Sequence, residues 1–426
     1  MSALRLDPRG PARAEPAGLP RILSGLGADG ARLTLARHLE VHGPLPRLAP
    51  EEIVDGVERS GLRGRGGADF PTAIKLRAVA ARRRRAGVVV NGSETEPGSQ
   101  KDRLLLGSLP HLVLDGAELA AEAVGATRVI LRVPGERELV SAIEAAIRER
   151  GGAHVEFAIA AGGAGYVTGE ESAVVNFIET GRPLPRFVPP RPYERGVDGR
   201  PTLIGNPETL GQMALVARHG AEWYRQLGTQ ADPGSALVTI GGAVARPGVY
   251  ELAFGTSMRD LLRAAGGAVE PLQAMLVGGY FGTWVAARKG IELRLARDEL
   301  RAAGCALGSG VLFALGQSAC GLHESARLID WLAGESAGQC GPCVHGLDAI
   351  AGAYDAMAEG FAHASEAKRI AHWVEDIKGR GACHHPDGVG RLALSALRVF
   401  GTGDGHPAAR CRGRAAGLPL PARRAA

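Results

Sequence analysis

Short β-branched runs separated by helix-length segments constrain this chain more than any other feature. Gly87-Val88-Val89-Val90-Asn91, Arg128-Val129-Ile130-Leu131-Arg132-Val133 and the run Val155–Ala160 read as strands. Residues 109–124 and 135–149 between them read as helices. Apolar runs of this kind suit strands covered on both faces. Strands alternating with helices fold as an α/β layer around a largely parallel sheet. Ligands of such sheets bind beyond the carboxyl ends of strands. The loops after Asn91 and after Ala160 lie at such ends.

A glycine-rich stretch precedes the first strand. A helix opens at Pro50 with Glu51 and Glu52 in its first turn, as the helix dipole favours, and closes at Ser60-Gly61. Then comes Gly61-Leu62-Arg63-Gly64-Arg65-Gly66-Gly67-Ala68-Asp69-Phe70-Pro71-Thr72-Ala73-Ile74-Lys75. Glycine lets a ligand approach main-chain N–H groups, and a following helix start adds unpaired donors. The combination reads as a phosphate cradle. Taken alone, the cluster reads rather as a flexible surface loop, because short glycine patterns are weak signals. A second glycine segment, Gly162-Gly163-Ala164-Gly165-Tyr166-Val167-Thr168-Gly169-Glu170-Glu171-Ser172, also opens a helix. A third loop, Pro201–Leu210, enters another helix after a proline-rich run.

Five regions follow. Residues 1–45 read as a loosely ordered lead-in, 46–232 as the α/β nucleotide domain, and 233–318 as a small β-rich unit around one helix. Residues 319–401 read as helical, and 402–426 as a disordered tail carrying Cys411.

No run of about 18 apolar residues occurs, so no direct membrane insertion is expected. No secretory signal is visible at the N-terminus. Six cysteines in 426 residues are too few for a disulfide framework and fit a reducing cytoplasm with a metal site. A formal charge of +5, with one basic run at Arg82–Arg85 read as a solvated helix end, does not suggest a nucleic-acid partner.

Four motifs in one order resemble the FMN-binding, NADH-oxidising flavoprotein of respiratory complex I, its 51 kDa subunit. They are the glycine loop with Phe70-Pro71-Thr72, the loop Asn91–Arg103, Gly165–Glu171, and Glu335-Ser336-Ala337-Gly338-Gln339-Cys340-Gly341-Pro342-Cys343. The resemblance covers residues 50–400 and implies a Rossmann-like FMN-binding domain, a β-grasp (ubiquitin-like) domain and a C-terminal helical bundle with an iron–sulfur cluster. By the same resemblance, Gly64, Arg65, Gly66, Gly67, Ala68, Phe70 and Lys75 line the nucleotide and flavin site, with Phe70 stacking on adenine. Asn91, Ser93, Glu94, Tyr166, Gly169, Glu170, Glu171, Gly205, Asn206 and Thr209 surround FMN. Glu96 and Glu171 face NAD(H), and Glu94, Glu96 and Glu171 are the implied catalytic acids. Hydride passes from nicotinamide to flavin, and single electrons pass to a 4Fe–4S cluster and a ferredoxin-like or thioredoxin-like partner subunit. The chain then belongs in the cytoplasm, peripheral to a membrane complex.

This sequence departs from the motif pattern at several points. Cys340, Cys343 and Cys383 match three cluster ligands, but Ala337 stands where the first cysteine is expected. An iron–sulfur cluster normally takes four thiolates. A non-cysteine fourth ligand (His345, His384 or His385), an open or three-iron cluster, a Cys₃His zinc site, and an empty site are the alternatives. Cys305 and Cys320 read as small core residues. Asp69 replaces a glycine, Ser93 an aspartate, Gly205 an asparagine, and Ala78 an aromatic residue. Asp69 is expected to weaken dinucleotide binding, and loss of one adenine-stacking ring costs about 1 kcal/mol. If both changes abolish that pocket, the chain is instead an electron-relay or assembly subunit without NADH oxidation, holding zinc or no metal.

Overall fold

The computed structural model describes residues 18–82, 85–152, 154–360, 365–401 and 417–421. Its first layer begins with α1 (Leu35–His42), α2 (Pro50–Ser60) and α3 (Thr72–Ala80), and continues through β1 (Gly87–Asn91), α4 (Lys101–Ser108), α5 (Pro110–Val124), β2 (Arg128–Val133), α6 (Arg137–Arg150), β3 (Glu156–Ala161), α7 (Glu171–Thr180), the single turn α8 (Pro192–Arg195), β4 (Thr202–Gly205) and α9 (Pro207–Arg225). All three strands expected from the β-branched runs form, β1 and β2 with the expected ends and β3 shifted by one residue. They pair in parallel in the order β3-β2-β1-β4, with Val88 opposite both Val129 and Leu203. Val88, Val89 and Val90 are buried on both faces, which is why that strand carries no polar residue at its centre.

The largest apolar core lies between this sheet and α2, α3, α5 and α9. Gly116 of α5 is its tightest point: a Cβ there would sit 1.9 Å from the carbonyl oxygen of Leu210 on α9. A buried ion network closes the outer side. His38 of α1 bonds Asp115 of α5 at 2.8 Å, and Arg150 and Arg218 reach the same carboxylate. Burial pushes Asp115 up, but these donors together hold it well below the usual carboxylate range. The lead-in is therefore not loose from residue 18 onward. Ile22, Leu23 and Leu33 join the core, and the backbone N–H groups of Arg21, Ile22 and Leu23 donate to the Glu251 carboxylate.

The second layer contains β5 (Ser235–Gly242), β6 (Gly248–Ala253), α10 (Met258–Ala264), β7 (Leu272–Val277), β8 (Thr283–Ala286), α11 (Ala287–Gly290), α12 (Arg297–Ala302) and β9 (Val311–Gly316). Its order is β6-β5-β9-β7-β8, parallel only between β5 and β9. Helices α13 (Gly321–Gly334), α14 (Asp348–Ala358), α15 (Ser365–Ile377) and α16 (His385–Phe400) follow and bury a separate core around Tyr354 and Leu392. The expected disordered tail is corrected at residues 417–421, where Leu418 is only 3% exposed against that core. Cys411 and most of residues 402–426 lie outside the described residues. Among the described residues, no single helix is long and apolar enough to cross a membrane.

Candidate functional site

The glycine loop is pinned at both ends. Gly61 ends α2 in the left-handed region at φ 74°, and the Gly64 N–H donates to Phe70 O at 2.8 Å, closing the loop on itself. The Arg65 N–H donates to Thr209 Oγ1 at 2.8 Å, and Lys101 Nζ donates to Arg65 O at 2.8 Å. Lys101 in turn bonds Glu208 at 2.6 Å, and all three charged side chains are buried. Gly66 comes so near α9 that a Cβ would lie 3.4 Å from Cβ of Asn206. Gly67 requires its φ of 105°.

Other expected residues gather around this loop at the carboxyl ends of β1 and β4. Lys75 Nζ bonds Glu171 and donates to Ile204 O at 2.9 Å. Asn91 Nδ2 donates to Gly169 O at 2.9 Å, and Ser93 Oγ donates to Asn91 Oδ1 at 2.8 Å. Asn206 caps α9 through its side-chain oxygen and donates to Asp102 Oδ2 at 2.7 Å. Gly205 fits because a Cβ there would stand 3.2 Å from Leu210 Cδ2. Phe70 and Ile74 are about half exposed, forming an apolar ledge beside Lys75.

Three expected acids are engaged elsewhere. Glu94, at φ 40°, accepts the Asp102 and Arg103 N–H groups at 2.8 Å each and so caps α4. Glu170 caps α7 through Ser172 N and Ala173 N. Glu96, expected to face the dinucleotide, is buried between the first and second layers, beside the C-terminal helices as a third layer. It accepts from Tyr166 Oη at 2.9 Å and from the Tyr280 N–H at 3.1 Å, with Ser309 at 3.4 Å. Burial pushes its carboxyl up to about 7 despite those donors. Tyr166, expected at FMN, has its ring against Phe281, Trp331 and His385. Its N–H donates to Glu335 Oε2 at 2.8 Å, which links the 165–171 segment to the cysteine motif.

The charge of Asp69 is answered locally. Its carboxylate lies 3.0 Å from Arg63 Nε and 4.0 Å from Arg297 of the second layer. Asp69 thus ties the loop to its neighbour rather than adding a bare charge to the site.

Lys101, Asp102 and Glu208 also border the loop, though the sequence reading gives none of the three a role. Their signal in the sequence is three charges beside otherwise apolar helix starts, which only burial and mutual pairing explain. Burial raises the Asp102 carboxyl, and its Oδ1, 3.8 Å from Lys101 Nζ, is buried without a hydrogen bond, as is Thr72 Oγ1 at the start of α3. The site thus holds polar groups that the protein itself leaves unsatisfied. Together with the Lys75 cation, the Asn91 and Asn206 amides and the close backbone of Gly66, these groups fit a phosphorylated, amide-rich ring such as FMN.

The cysteines form a second centre. Cys343 lies within hydrogen-bonding reach of Cys340, and both interact with Cys383, which also lies near Glu170. Burial pushes the Cys343 thiol up to about 12 and raises that of Cys383. Among the described residues, no three His, Cys, Asp or Glu side chains converge on a single metal ion. Among the described residues, a mononuclear zinc site therefore lacks its geometry, and a four-thiolate cluster lacks its fourth sulfur. Cys305 sits in the second layer's core as expected, and Cys320 packs at the edge of the helical core while accepting the His323 N–H at the start of α13.

Three family profiles match the chain: the Nuo51 FMN-binding domain over residues 57–214, the SLBB domain over 237–279, and the NADH-ubiquinone oxidoreductase-F iron-sulfur binding region over 323–403. The chain is 32% identical to the NADH-quinone oxidoreductase F subunit 2 of Rhizobium meliloti (strain 1021), over 84% of this chain and 88% of that one. It is 31% identical to the NADH-quinone oxidoreductase F subunit of Escherichia coli (strain K12), over 91% and 88%. Among solved structures it resembles an NAD+-reducing nickel–iron hydrogenase in the air-oxidised state, with TM-score 0.76 and 32% identity over 88% of this chain. It spans 64% of that hydrogenase chain.

Proposed function

The chain belongs to the family of NADH-quinone oxidoreductase F subunits, and on that premise we propose that it is the flavin-bearing component of a multi-subunit NAD(P)H oxidoreductase, with an iron–sulfur subunit as its electron-accepting partner. When bound, FMN supplies hydride acceptance and one-electron release, chemistry that belongs to the cofactor rather than the protein. The observation that carries the reading is the convergence of Lys75, Asn91, Gly169, Glu171 and Asn206 beside the glycine loop at the carboxyl ends of β1 and β4.

In this reading Lys75 offers its cation to the flavin, and the Asn91 and Asn206 amides orient the ring and phosphate. Gly64–Gly67 let the backbone lie against it. The half-exposed Phe70 and Ile74 offer an apolar face to the adenine. Glu171 holds Lys75 in place, and Glu96 works from behind by fixing Tyr166. A member without NADH oxidation loses one of its two supports, since Arg63 and Arg297 counter Asp69.

Anaerobic purification followed by NADH addition tests this. The expected result is a yellow protein whose flavin absorption bleaches within the mixing time. A protein that binds no flavin, or flavin that NADH leaves oxidised, overturns it. Lys75→Met is expected to lower FMN affinity at least tenfold with an unchanged far-UV spectrum.

A further inference from the structure

We infer that His385 is the fourth protein ligand of an iron–sulfur cluster held by Cys340, Cys343 and Cys383, supplying the donor that Ala337 lacks. The inference rests on the iron–sulfur part of the proposed function.

Three thiolates leave one corner of a four-iron cluster without a protein donor. The other described cysteines are committed elsewhere: Cys305 lies in the core of the second layer, and Cys320 accepts a helix N–H. Among the described residues, the donor therefore comes from another residue type. Imidazole takes the place of thiolate on one iron of Rieske 2Fe–2S centres, so histidine is a competent cluster ligand.

Three histidines lie beside the cysteines in sequence, and the structure separates them. His345 is exposed. The His384 side chain is 92% exposed and lies near Asp387. His385 is 2% exposed.

The two ring nitrogens of His385 are already sorted. Nε2 lies 2.8 Å from the carbonyl oxygen of Leu332. A carbonyl only accepts, so Nε2 carries the hydrogen and Nδ1 presents a bare lone pair. That Nδ1 is buried and has no partner. A histidine that binds metal through one nitrogen commonly donates the other N–H to a backbone carbonyl, which fixes ring orientation and raises ligand basicity. His385 has the second half of that arrangement in place and the first half unfilled.

Its position suits the role. His385 is two residues from Cys383 and opens α16, and its own backbone N–H donates to the Cys383 thiol. Its ring is held edge-on by Tyr166, at 5.9 Å between centroids, and by Phe281, at 5.3 Å. It therefore touches Cys383 through its backbone and Tyr166 of the 165–171 segment through its ring. A neutral imidazole in place of a thiolate leaves the cluster one unit less negative, which raises its reduction potential.

The test uses the full-length chain, reconstituted anaerobically with ferrous iron and sulfide, once with natural histidine and once with ¹⁵N-imidazole histidine. Pulsed electron paramagnetic resonance of the reduced cluster is expected to show a strongly coupled nitrogen whose splitting changes with the label. This comparison needs no variant. Ala337→Cys is expected to abolish that coupling while iron content is retained, and to lower the potential. His385→Leu is expected to yield a three-iron signal. A wild-type cluster with no strongly coupled histidine nitrogen, or one that already contains only three irons, overturns the assignment. A chain that takes up no iron overturns both the assignment and the iron–sulfur reading, whereas bleaching of the flavin by NADH reports on the flavin reading separately.

Discussion

Glu96 shows how a residue's surroundings decide its work. The family resemblance implies a place for it at the dinucleotide, yet it is buried and serves Tyr166 and Tyr280. Its carboxyl is pushed up to about 7 by burial, from an ordinary 4.5. A group raised in the folded state contributes stability that is complete below the unfolded value and is lost as pH rises through the folded one. The wild-type protein should therefore lose up to roughly 3 kcal/mol from this group between pH 4.5 and 8. Glu96→Gln cannot ionise but keeps an acceptor for the Tyr280 N–H. Denaturation midpoints measured across this range should converge or cross: the variant matches or trails the wild type at pH 5 and gains on it by pH 8. Parallel curves would show that Glu96 does not change charge on unfolding. Glu94 makes the same point through its backbone. Its left-handed backbone turns it to cap α4, and no pattern in the sequence announces that turn.

The crossing of α5 and α9 is the element on which the site depends most. Asn206, Glu208 and Thr209 all lie at the start of α9, and Gly116 is what lets α5 pass against it. Gly116→Ala places a methyl 1.9 Å from a backbone oxygen, so the helices must separate. The gain in helix propensity is at most about 1 kcal/mol, while overpacking of this kind costs about 1–3 kcal/mol or more. A lower denaturant midpoint at unchanged slope, together with weaker flavin binding, is the expected result. A variant as stable as the wild type would mean that this contact yields freely. The parallel strands are legible in the sequence because unbroken β-branched runs have few alternatives. The glycine loop is legible through its spacing and its companions. The lead-in is not: a Pro-, Ala- and Arg-rich composition hides that Ile22 and Leu33 fill holes in a distant core. Nor is the pairing of Asp69 with Arg297, 228 positions away in the chain, since charge partners so remote exist only once the layers meet.

At the scale of the whole molecule, Glu96, Tyr166 and Tyr280 join the three layers at one point, and residues 417–421 close over it. Tyr280 gives its N–H to Glu96 and its hydroxyl to the Pro419 carbonyl. The Gly417 and Leu418 N–H groups donate to Glu324, which is itself buried and paired with Arg327. Leu418 fills the apolar core between α13 and the second sheet. Ending the chain at residue 416 removes all of this at once. Lost burial of Leu418 costs about 2 kcal/mol, and an unsatisfied Tyr280 hydroxyl adds about 1 kcal/mol or more. Leu418→Ala removes the apolar part alone and should account for the larger share. In thermal denaturation the full chain, Leu418→Ala and the truncation should rank in that order of falling midpoint. The same truncation loosens the Tyr280 backbone that holds Glu96, so its effect should also reach the pH dependence argued above. A truncated chain within about 0.5 kcal/mol of the full one, the range of ordinary surface changes, would show that the last segment rests on the molecule without supporting it.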